Sequence, residues 1–371
     1  MNISRVVMLT GEYWNGLEYQ RHYLAREFLK RGIQVYFVER LPQRPPSASL
    51  SHLRQWLFKE GYGSGTIKKK DIPGGLKVVN FRSLPPAACF RPLNRLLAKR
   101  AFAPYAEEFA DKGTLLISYV PSYTQIDIAG LIHPAKTLYV SVHNYDADRV
   151  SPDLLKAEAE IINSDAVLAA DSVFNTERLK RLAPKGKPVH RLAPGVDYEL
   201  FRKADTGRPA RYKKLCYFGG IGPHLDMPLY NALAKELEVT FIGVVDDSIR
   251  DLISPGIQLR PPVPAEELPG LLAAADMLGI FYKSSPYIDG VLPAKLFECL
   301  ATGKPLLVSG MGETKPYADI VYDCTNNALK ALDLIAGLPE AETPVKLELR
   351  RKLARDSGWG KRFDELMGML T

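Results

Sequence analysis

Short apolar runs alternate with amphipathic segments along almost the whole chain, and this alternation constrains the fold more than any other feature. Residues 6–9 and 35–38 have the pattern of strands, residues 18–30 have a helical pattern between them, and Gly32 stands where a helix would end. A strand, a helix and a second strand in this order form a βαβ unit. Because the pattern repeats, the sequence predicts an α/β protein with parallel sheets.

The alternation is interrupted twice, and a length of 371 residues suits two domains. Residues 42–75 are polar, proline-rich and basic, and we expect them to be mobile or to form a substrate-facing excursion. Residues 203–212 have the composition of a linker, so the predicted domains are residues 1–203 and 204–355. Beyond the first βαβ unit, strands are predicted at residues 76–81, 115–118, 137–142, 166–169, 215–218, 239–242, 277–281 and 305–308, and helices at 94–110, 154–163, 229–237, 265–274, 294–302 and 356–370.

The chain is basic, with a net charge of +7 and a pI of about 9.0. Basic residues cluster at 68–70, 91–100 and 178–187. Positive charge attracts nucleotide phosphates or an anionic membrane face, although a solvated surface without a partner is the alternative. No nucleic-acid-binding motif accompanies the charge, so we expect no nucleic acid partner.

The apolar runs and the cysteines predict a cytoplasmic protein. The first apolar run, which ends at Thr10, is too short for a signal peptide, and no run approaches the roughly 20 residues that cross a bilayer. The four cysteines (Cys89, Cys216, Cys299 and Cys324) lie far apart in the sequence. This spacing predicts reduced thiols rather than disulfides or a zinc site.

Residues 285–305 contain the most informative local pattern. Pro293 suits the first position of a helix and Gly303 suits its C-cap. Lys295 and Glu298 are three residues apart, so they share one face near the positive end of that helix. A helix N-terminus with a lysine is a seat for a diphosphate, and a carboxylate one turn further in can accept hydrogen bonds from ribose hydroxyls. An ordinary surface Lys–Glu pair has the same spacing and is the alternative.

Gly219 and Gly220 directly follow the strand predicted at residues 215–218. Glycines at this point permit a tight turn and let backbone amides approach a phosphate. An ordinary strand-to-helix turn is the alternative.

These motifs follow one another in an order that resembles the C-terminal half of GT-B glycosyltransferases, close to family 4 and to the teichuronic acid and exopolysaccharide enzymes. The order is Gly219-Gly220, Asp226, Pro261-Pro262-Val263-Pro264, Glu267-Leu268, Ala275-Asp276 and residues 293–305. Residues 194–201 resemble the "N-G-V-D-x-x-x-F" stretch that such enzymes carry before the interdomain linker. In the N-terminal half, Trp14, residues 21–25 and Val38-Glu39 are also similar, and Trp359 with Arg362 resembles the "W-x-x-R" of the final helix.

The resemblance implies two Rossmann-like doubly wound domains that face a central cleft, with residues 356–371 packed back onto the first domain. It implies that Glu298 holds the donor ribose and that Lys295 lies by the diphosphate. Gly219 and Gly220 would form the phosphate-facing turn, and the backbone of Val263 would lie against the nucleobase.

One position departs from the family pattern. Where family 4 enzymes usually carry a first glutamate, this chain has Gly290, with Asp289 beside it as a candidate substitute in the donor site. The departure leaves both a retaining and an inverting mechanism open.

Residues 141–146 end a predicted strand of the first domain, where open α/β sheets bind ligands. The resemblance places His143 where related enzymes carry a sugar-contacting histidine or a catalytic aspartate, and Asp146 is the alternative base. A histidine satisfied by a loop carbonyl is the structural alternative.

In the loop after the first strand, Tyr13, Trp14 and Gly16 are candidate acceptor-binding residues, unless the aromatic rings pack between the domains.

The sequence therefore predicts a metal-independent glycosyltransferase that moves a sugar from a UDP- or GDP-linked donor to a glycan, lipid-linked or other hydroxyl acceptor. No cofactor and no metal ion are expected, and association with the inner membrane face would fit the charge. The alternatives are a nucleotide-sugar epimerase and a non-catalytic nucleotide- or sugar-binding protein of the same fold.

Overall fold

The computed structural model describes residues 3–16, 18–39, 41, 71–81, 83–110, 112–147 and 150–371. The chain forms two compact units: unit 1 ends at Ala193 and also contains Arg362–Thr371, and unit 2 is Pro194–Lys361. The divisions thus fall at 193/194 and 361/362, whereas the sequence placed them at 203/204 and 355/356. The larger part of the excursion predicted for residues 42–75 lies outside the described residues.

Unit 1 contains a seven-stranded sheet in the order β3-β2-β1-β4-β5-β6-β7, and every neighbouring pair is parallel. β1 and β4 are buried along their whole length, because helices cover both faces of the sheet. The strands are β1 (Arg5–Leu9), β2 (Gln34–Glu39), β3 (Leu76–Asn80), β4 (Thr114–Ser118), β5 (Lys136–Ser141), β6 (Val167–Ala170) and β7 (Val189–Arg191). The helices are α1 (Gln20–Lys30), α2 (Arg91–Phe102), α3 (Tyr123–Ile132), α4 (Pro152–Asn163) and α5 (Val173–Leu182).

Unit 2 contains a six-stranded parallel sheet in the order β10-β9-β8-β11-β12-β13. The strands are β8 (Lys214–Phe218), β9 (Glu238–Ile242), β10 (Ile257–Arg260), β11 (Met277–Phe281), β12 (Leu306–Ser309) and β13 (Tyr322–Asp323). The helices are α6 (Tyr198–Phe201), α7 (Met227–Leu233), α8 (Leu268–Ala273), α9 (Pro286–Asp289), α10 (Ala294–Ala301), α11 (Ala328–Ala336), α12 (Leu338–Ala341) and α13 (Pro344–Asp356). A last helix, α14 (Trp359–Met369), begins in unit 2 and ends in unit 1.

A tryptophan packed on a glycine joins two distant segments of unit 2. A Cβ atom at Gly195 would lie 2.6 Å from the ring of Trp359, so only a glycine leaves room for the indole. Beside this contact the amide of Val196 donates to the carbonyl of Ser357 at 3.0 Å. These contacts place residues 194–201 in unit 2 rather than at the end of unit 1.

The end of α14 packs on α1 in unit 1. The rings of Phe363 and Phe28 meet edge to face with centroids 4.9 Å apart, and the Arg31 guanidinium lies 3.9 Å from the Phe363 ring centroid. The prediction that the C-terminal helix returns to the first domain is therefore confirmed.

Two predicted helices have different bounds because proline and local caps intervene. The helix predicted at 94–110 is α2 followed by a 3-10 segment at Ala103–Phe109, since Pro104 removes a backbone donor. The helix predicted at 356–370 is two helices, because α13 ends at Asp356 and α14 begins at Trp359. Among the described residues, no helix is long and apolar enough to span a membrane.

Candidate functional site

The sheet of unit 2 has its topological switch point between β8 and β11. From this point the chain order runs outward through β9 and β10 on one side and through β12 and β13 on the other. Open parallel sheets bind ligands at the carboxyl ends of the strands that flank such a point. The segments that follow β8 and β11 begin at Gly219 and Tyr282, so these two segments border the expected site.

Two glycines pack backbone against backbone beside β8. Gly219 has a φ of +114° and its amide donates to the carbonyl of Ile242 at 2.8 Å. Gly243 has a φ of +152°, and a Cβ there would lie 1.9 Å from the Gly219 carbonyl oxygen. No side chain fits between these segments, so the turn presents bare backbone at the carboxyl end of β8.

The ammonium group of Lys295 lies directly over this turn. A Cβ at Gly219 would approach the Lys295 Nζ to 2.6 Å, which shows that the lysine occupies the space the glycine leaves. The same Nζ donates to the Tyr217 hydroxyl at 2.7 Å and lies 3.9 Å from the Tyr217 ring centroid. The predicted turn residues and the predicted lysine are thus brought together.

Helix α10 carries Lys295 in its first turn. Pro293 is the N-cap and offers no side-chain cap, so the first-turn amides lack a side-chain acceptor. The prediction that Pro293 occupies the first helical position was off by one residue. Gly303 follows the C-cap Thr302 with a φ of +70°, which is the left-handed conformation expected of a glycine that ends a helix.

Glu298 lies one turn further along α10 and is half-buried. Its side chain forms no hydrogen bond or ion pair with the residues that the structure describes. Burial raises the pKa of its carboxyl to about 7, although the positive Lys295 opposes this shift. Burial likewise lowers the pKa of Lys295 to about 8, with Cys299 and Glu298 acting in the opposite direction. Burial makes the charged form of each group costly in free energy. An anionic ligand would offset this cost at Lys295, and ligand hydroxyl groups would offset it at Glu298.

His224 belongs to this site and was missed from the sequence. Its ring meets that of Tyr282 edge to face with centroids 5.1 Å apart, and its Nδ1 would lie 3.2 Å from a Cβ at Gly222. Burial, followed by the positive charge of Lys295, lowers the pKa of His224 to about 4. The imidazole is therefore neutral at pH 7. The sequence feature that could have identified this histidine is its position in a glycine-rich loop after a predicted strand.

The remaining predicted donor residues lie in segments of unit 2 around the switch point. Val263 is half-buried in the loop that follows β10. Asp289 ends the short helix α9 and is exposed, whereas Gly290 is its buried C-cap. No group of three His, Cys, Asp or Glu side chains that could hold a metal ion occurs among the residues described.

At the carboxyl edge of the unit 1 sheet the charged side chains pair with one another. The switch point lies between β1 and β4, and there the Arg21 Nη1 donates to Glu12 Oε1 at 2.9 Å. The Arg21 guanidinium also lies 4.5 Å from the ring centroid of Tyr119, which follows β4. Burial raises the pKa of Glu12, and Arg21 offsets this only in part. This cluster was not predicted, and the one available signal was the presence of Arg21 in the resembling segment.

The two candidate catalytic residues of unit 1 have different surroundings. His143 is half-buried after β5, and its ring centroid lies 5.7 Å from that of Tyr145. Asp146 is exposed but accepts from the Arg178 Nη2 at 2.8 Å. Arg178 also binds the buried carboxylate of Glu158, at 2.7 and 2.8 Å. Asp146 is therefore tied to a buried ion pair.

Trp14 does not present its ring to solvent, which corrects its prediction as an acceptor-binding residue. It is 1% exposed, and its ring packs against His22 and Phe37 at centroid distances of 5.2 and 5.3 Å. Its amide donates to Glu39 Oε1 at 2.7 Å, which ties the loop after β1 to the end of β2. The other two loop candidates, Tyr13 and Gly16, are half-buried and are joined by a hydrogen bond from the Gly16 amide to the Tyr13 carbonyl at 3.0 Å.

Two Rossmann-like units with parallel sheets and a final helix that returns to unit 1 define the GT-B fold of glycosyltransferases. Solved structures with this fold match almost the whole chain. HepE of Anabaena in complex with UDP and glucose has a TM-score of 0.67 and 12% identity, and the match covers 99% of each chain. Sucrose-phosphate synthase of Thermosynechococcus elongatus has a TM-score of 0.70 and 13% identity over 99% of this chain and 98% of that one. WaaG, a glycosyltransferase involved in lipopolysaccharide biosynthesis, has a TM-score of 0.65 and 11% identity over 99% of each chain.

One curated relative is more similar in sequence. The chain is 30% identical over 236 residues to the "Putative teichuronic acid biosynthesis glycosyltransferase TuaH" of Bacillus subtilis (strain 168). The match covers 57% of this chain and 58% of the relative, so it spans less than two thirds of that protein. No family model matches the chain.

Proposed function

We propose that the protein is a glycosyltransferase that moves a sugar from a nucleoside diphosphate sugar to a hydroxyl of a glycan or lipid-linked acceptor, in polysaccharide or glycoconjugate biosynthesis. The observation that carries the proposal is the position of Lys295 over the bare backbone of Gly219, with the unpaired Glu298 on the same helix. The similarity to a teichuronic acid glycosyltransferase and the UDP complexes of a structural neighbour support it.

In this proposal the residues of unit 2 hold the donor. Lys295 and the first-turn amides of α10 neutralise the diphosphate, and Glu298 accepts hydrogen bonds from the ribose hydroxyls. The backbone of Val263 lies against the nucleobase. Asp289, exposed beside Gly290, is the nearest carboxylate to take the place of the first family 4 glutamate at the donor sugar.

Departure of the diphosphate needs positive charge at the leaving group. A lysine and a helix N-terminus supply it here, so we propose that the reaction requires no metal ion. We expect turnover to survive EDTA, and loss of most activity that Mg²⁺ restores would overturn this part of the proposal.

The acceptor hydroxyl is proposed to meet the carboxyl edge of the unit 1 sheet. If the reaction inverts the anomeric centre, His143 or Asp146 would deprotonate the acceptor hydroxyl, and Asp146 would have to do so while it is held by Arg178. If the reaction retains it, His143 binds the donor sugar and the leaving diphosphate assists the acceptor. The half-buried ion pair of Glu12 with Arg21 lies at the same edge.

The exposed surface of helix α2 is an argument for an acceptor located at an anionic membrane face. Its exposed residues include Leu93 and Leu96, which are 47% and 45% exposed, together with the basic residues Arg95, Lys99 and Arg100. Exposed leucines among basic residues are typical of helices that lie in a lipid interface. We expect Arg95→Ala, Lys99→Ala and Arg100→Ala together to weaken binding to vesicles of anionic lipid about tenfold or more. Unchanged vesicle binding would remove the membrane from the proposal.

The donor site is tested by thermal stabilisation of the wild type with UDP, GDP, ADP and dTDP. A nucleotide at 100 times its dissociation constant adds roughly 2.7 kcal/mol to stability, which is a readily measured shift. We expect one nucleotide to stabilise the wild type and to have little effect on Glu298→Ala. Glu236→Ala is the matched control, because Glu236 is exposed in unit 2, precedes β9, and its carboxylate makes no hydrogen bond with a described residue.

Stabilisation by none of the four nucleotides would contradict the proposal. A nucleotide that binds, but whose sugar conjugate shows no turnover with any acceptor, would instead favour a non-catalytic binding protein of this fold. Conversion of the donor sugar without an acceptor would favour an epimerase.

A further inference from the structure

Tyr217 connects the two parts of the phosphate seat, the glycine turn and the lysine. It is the next-to-last residue of β8 and is 1% exposed. Its hydroxyl donates to the carbonyl of Gly220 at 2.8 Å and accepts from the Lys295 Nζ at 2.7 Å. A phenol has one proton to donate, and here it is donated to the carbonyl of the turn. A lone pair of the hydroxyl oxygen accepts the hydrogen bond from the ammonium group.

The ring of Tyr217 is fixed by aromatic neighbours. Tyr230 and Phe241 contact it edge to face, with centroids 5.9 and 5.6 Å away. The Lys295 Nζ lies 3.9 Å from the ring centroid, so the ring face and the hydroxyl both hold the same ammonium group. A lysine side chain otherwise has wide rotamer freedom, which binding must remove.

We propose that Tyr217 is a positioning residue, which holds the Lys295 ammonium against the Gly219-Gly220 turn so that both form one preorganised seat for a nucleoside diphosphate. Preorganisation increases affinity because less side-chain freedom is lost when the ligand binds. The inference rests on the proposed donor site, and it adds a residue that itself need not touch the ligand.

The charged and titratable groups around Lys295 come from three segments. Glu298 and Cys299 lie on its own helix, Cys216 lies on β8, and His224 lies in the loop that follows β8. Glu298 is the one carboxylate in this set. The Tyr217 hydroxyl adds an uncharged acceptor that favours the protonated amine.

The test is a calorimetric titration of UDP into the wild type, Tyr217→Phe and Tyr230→Phe. Tyr217→Phe keeps the ring and removes the hydroxyl contacts with Lys295, Gly220 and Tyr282, and we expect it to raise the Kd for UDP about tenfold. Tyr230→Phe is the matched control, because its buried hydroxyl also bonds backbone, at Gly279 and Phe281, but touches neither Lys295 nor the turn. We expect a comparable loss of Tm in both variants and an unchanged Kd in the control.

A double-mutant cycle with Lys295→Met separates positioning from general destabilisation. In the Lys295→Met background, Tyr217→Phe should change the Kd by less than about twofold, because there is no ammonium left to hold. The alkaline limit of UDP binding in Tyr217→Phe should also move to lower pH, since the amine loses an acceptor that favours its charged form.

The outcomes distinguish the two proposals. If Lys295→Met binds UDP like the wild type, the proposed donor site is wrong. If Lys295→Met loses affinity while Tyr217→Phe keeps it, the donor site stands and the positioning inference is overturned. An equal effect of Tyr217→Phe in both backgrounds would also overturn it, because the tyrosine would then act independently of the lysine.

Discussion

At the carboxyl edge of the unit 1 sheet, charged side chains form ion pairs with one another. At the corresponding edge of unit 2, the charged side chains of Lys295 and Glu298 form no ion pair with a described residue. In unit 1, Glu12 binds Arg21 and Asp146 binds Arg178. In unit 2, Lys295 rests on a neutral tyrosine and Glu298 has no ion pair with any residue the structure describes. Two sheets of similar topology thus have edges of different chemistry: the edge of unit 1 carries ion pairs, whereas Lys295 and Glu298 of unit 2 form no ion pair with a described residue.

The largest expected effect tests the internal pairing of unit 1. Arg178→Met leaves the buried carboxylate of Glu158 without its cation, which should lower the free energy of unfolding by about 3–5 kcal/mol in urea denaturation. Arg181→Met is the control, because Arg181 lies exposed on the same helix. A loss below about 1 kcal/mol would show that the pair does not stabilise unit 1.

The second-largest expected effect concerns the glycine turn that follows β8 in unit 2. Gly219→Ala places a Cβ 2.6 Å from the Lys295 Nζ at a φ of +114°, so the lysine must leave its seat. We expect the Kd for UDP to rise roughly 100-fold in calorimetry, through loss of charge-assisted contacts.

The control for this change is a glycine of unit 1. Gly11→Ala would bring its Cβ no closer than 3.4 Å to the Leu41 carbonyl oxygen, which is an ordinary contact, and should leave UDP binding unchanged. Equal effects of the two substitutions would contradict a site confined to the glycine turn of unit 2.

Much of this fold was predictable, because it follows from local patterns. The strand and helix alternation and the helix at 294–302 depend on nearby residues, and the structure has α10 at Ala294–Ala301. Helix α3 was not predicted, since its buried residues include the polar Thr124, Gln125 and Asp127 and an amphipathic pattern is weak. Strand β10 was missed because it is short, lies at the sheet edge and buries only Ile257.

The site was predictable where chemistry is local and not where it depends on distant contacts. Lys295 and Glu298 share one helix, so their spacing identified them. Tyr217 lies 78 positions from Lys295, and only the sheet brings them together. The aromatic ring of Trp14 suits contact with a sugar, but the ring packs against Phe37, and that contact depends on the pairing of β1 with β2.

The pH dependence of UDP binding should have two limits set by unit 2. Glu298, with its pKa raised to about 7, must be ionised to accept ribose hydroxyls, so affinity falls as pH drops below 7. Lys295, with its pKa lowered to about 8, must be protonated, so affinity falls about tenfold per pH unit well above 8. Calorimetry from pH 5.5 to 9.5 measures both limits.

Variants assign the two limits and correct for the nucleotide itself, whose terminal phosphate titrates near pH 6. Lys295→Met should lack the alkaline limit and Glu298→Gln should lack the acidic one. An alkaline limit that persists in Lys295→Met would assign it to another group.

The smallest expected effect concerns stability without ligand. The pKa of Glu298 is higher in the folded protein than its ordinary value of 4.5, so ionisation of this carboxyl lowers the free energy of unfolding. This loss of stability is absent below pH 4.5 and complete above about pH 7. Glu298→Gln should therefore stabilise the nucleotide-free protein at pH 8 by about 1 kcal/mol, after allowance for partial exposure. Differential scanning calorimetry should find this gain at pH 8 and not at pH 4.5, and a destabilised variant at pH 8 would contradict the account.

Hydrogen–deuterium exchange with and without UDP tests the difference between the two sheet edges most directly. The account predicts that UDP slows exchange in residues 217–224 and 293–298 of unit 2, with no change in residues 10–16 and 141–147 of unit 1. Slower exchange confined to the unit 1 segments, with unit 2 unchanged, would contradict the assignment of the nucleotide seat to Lys295 and Glu298.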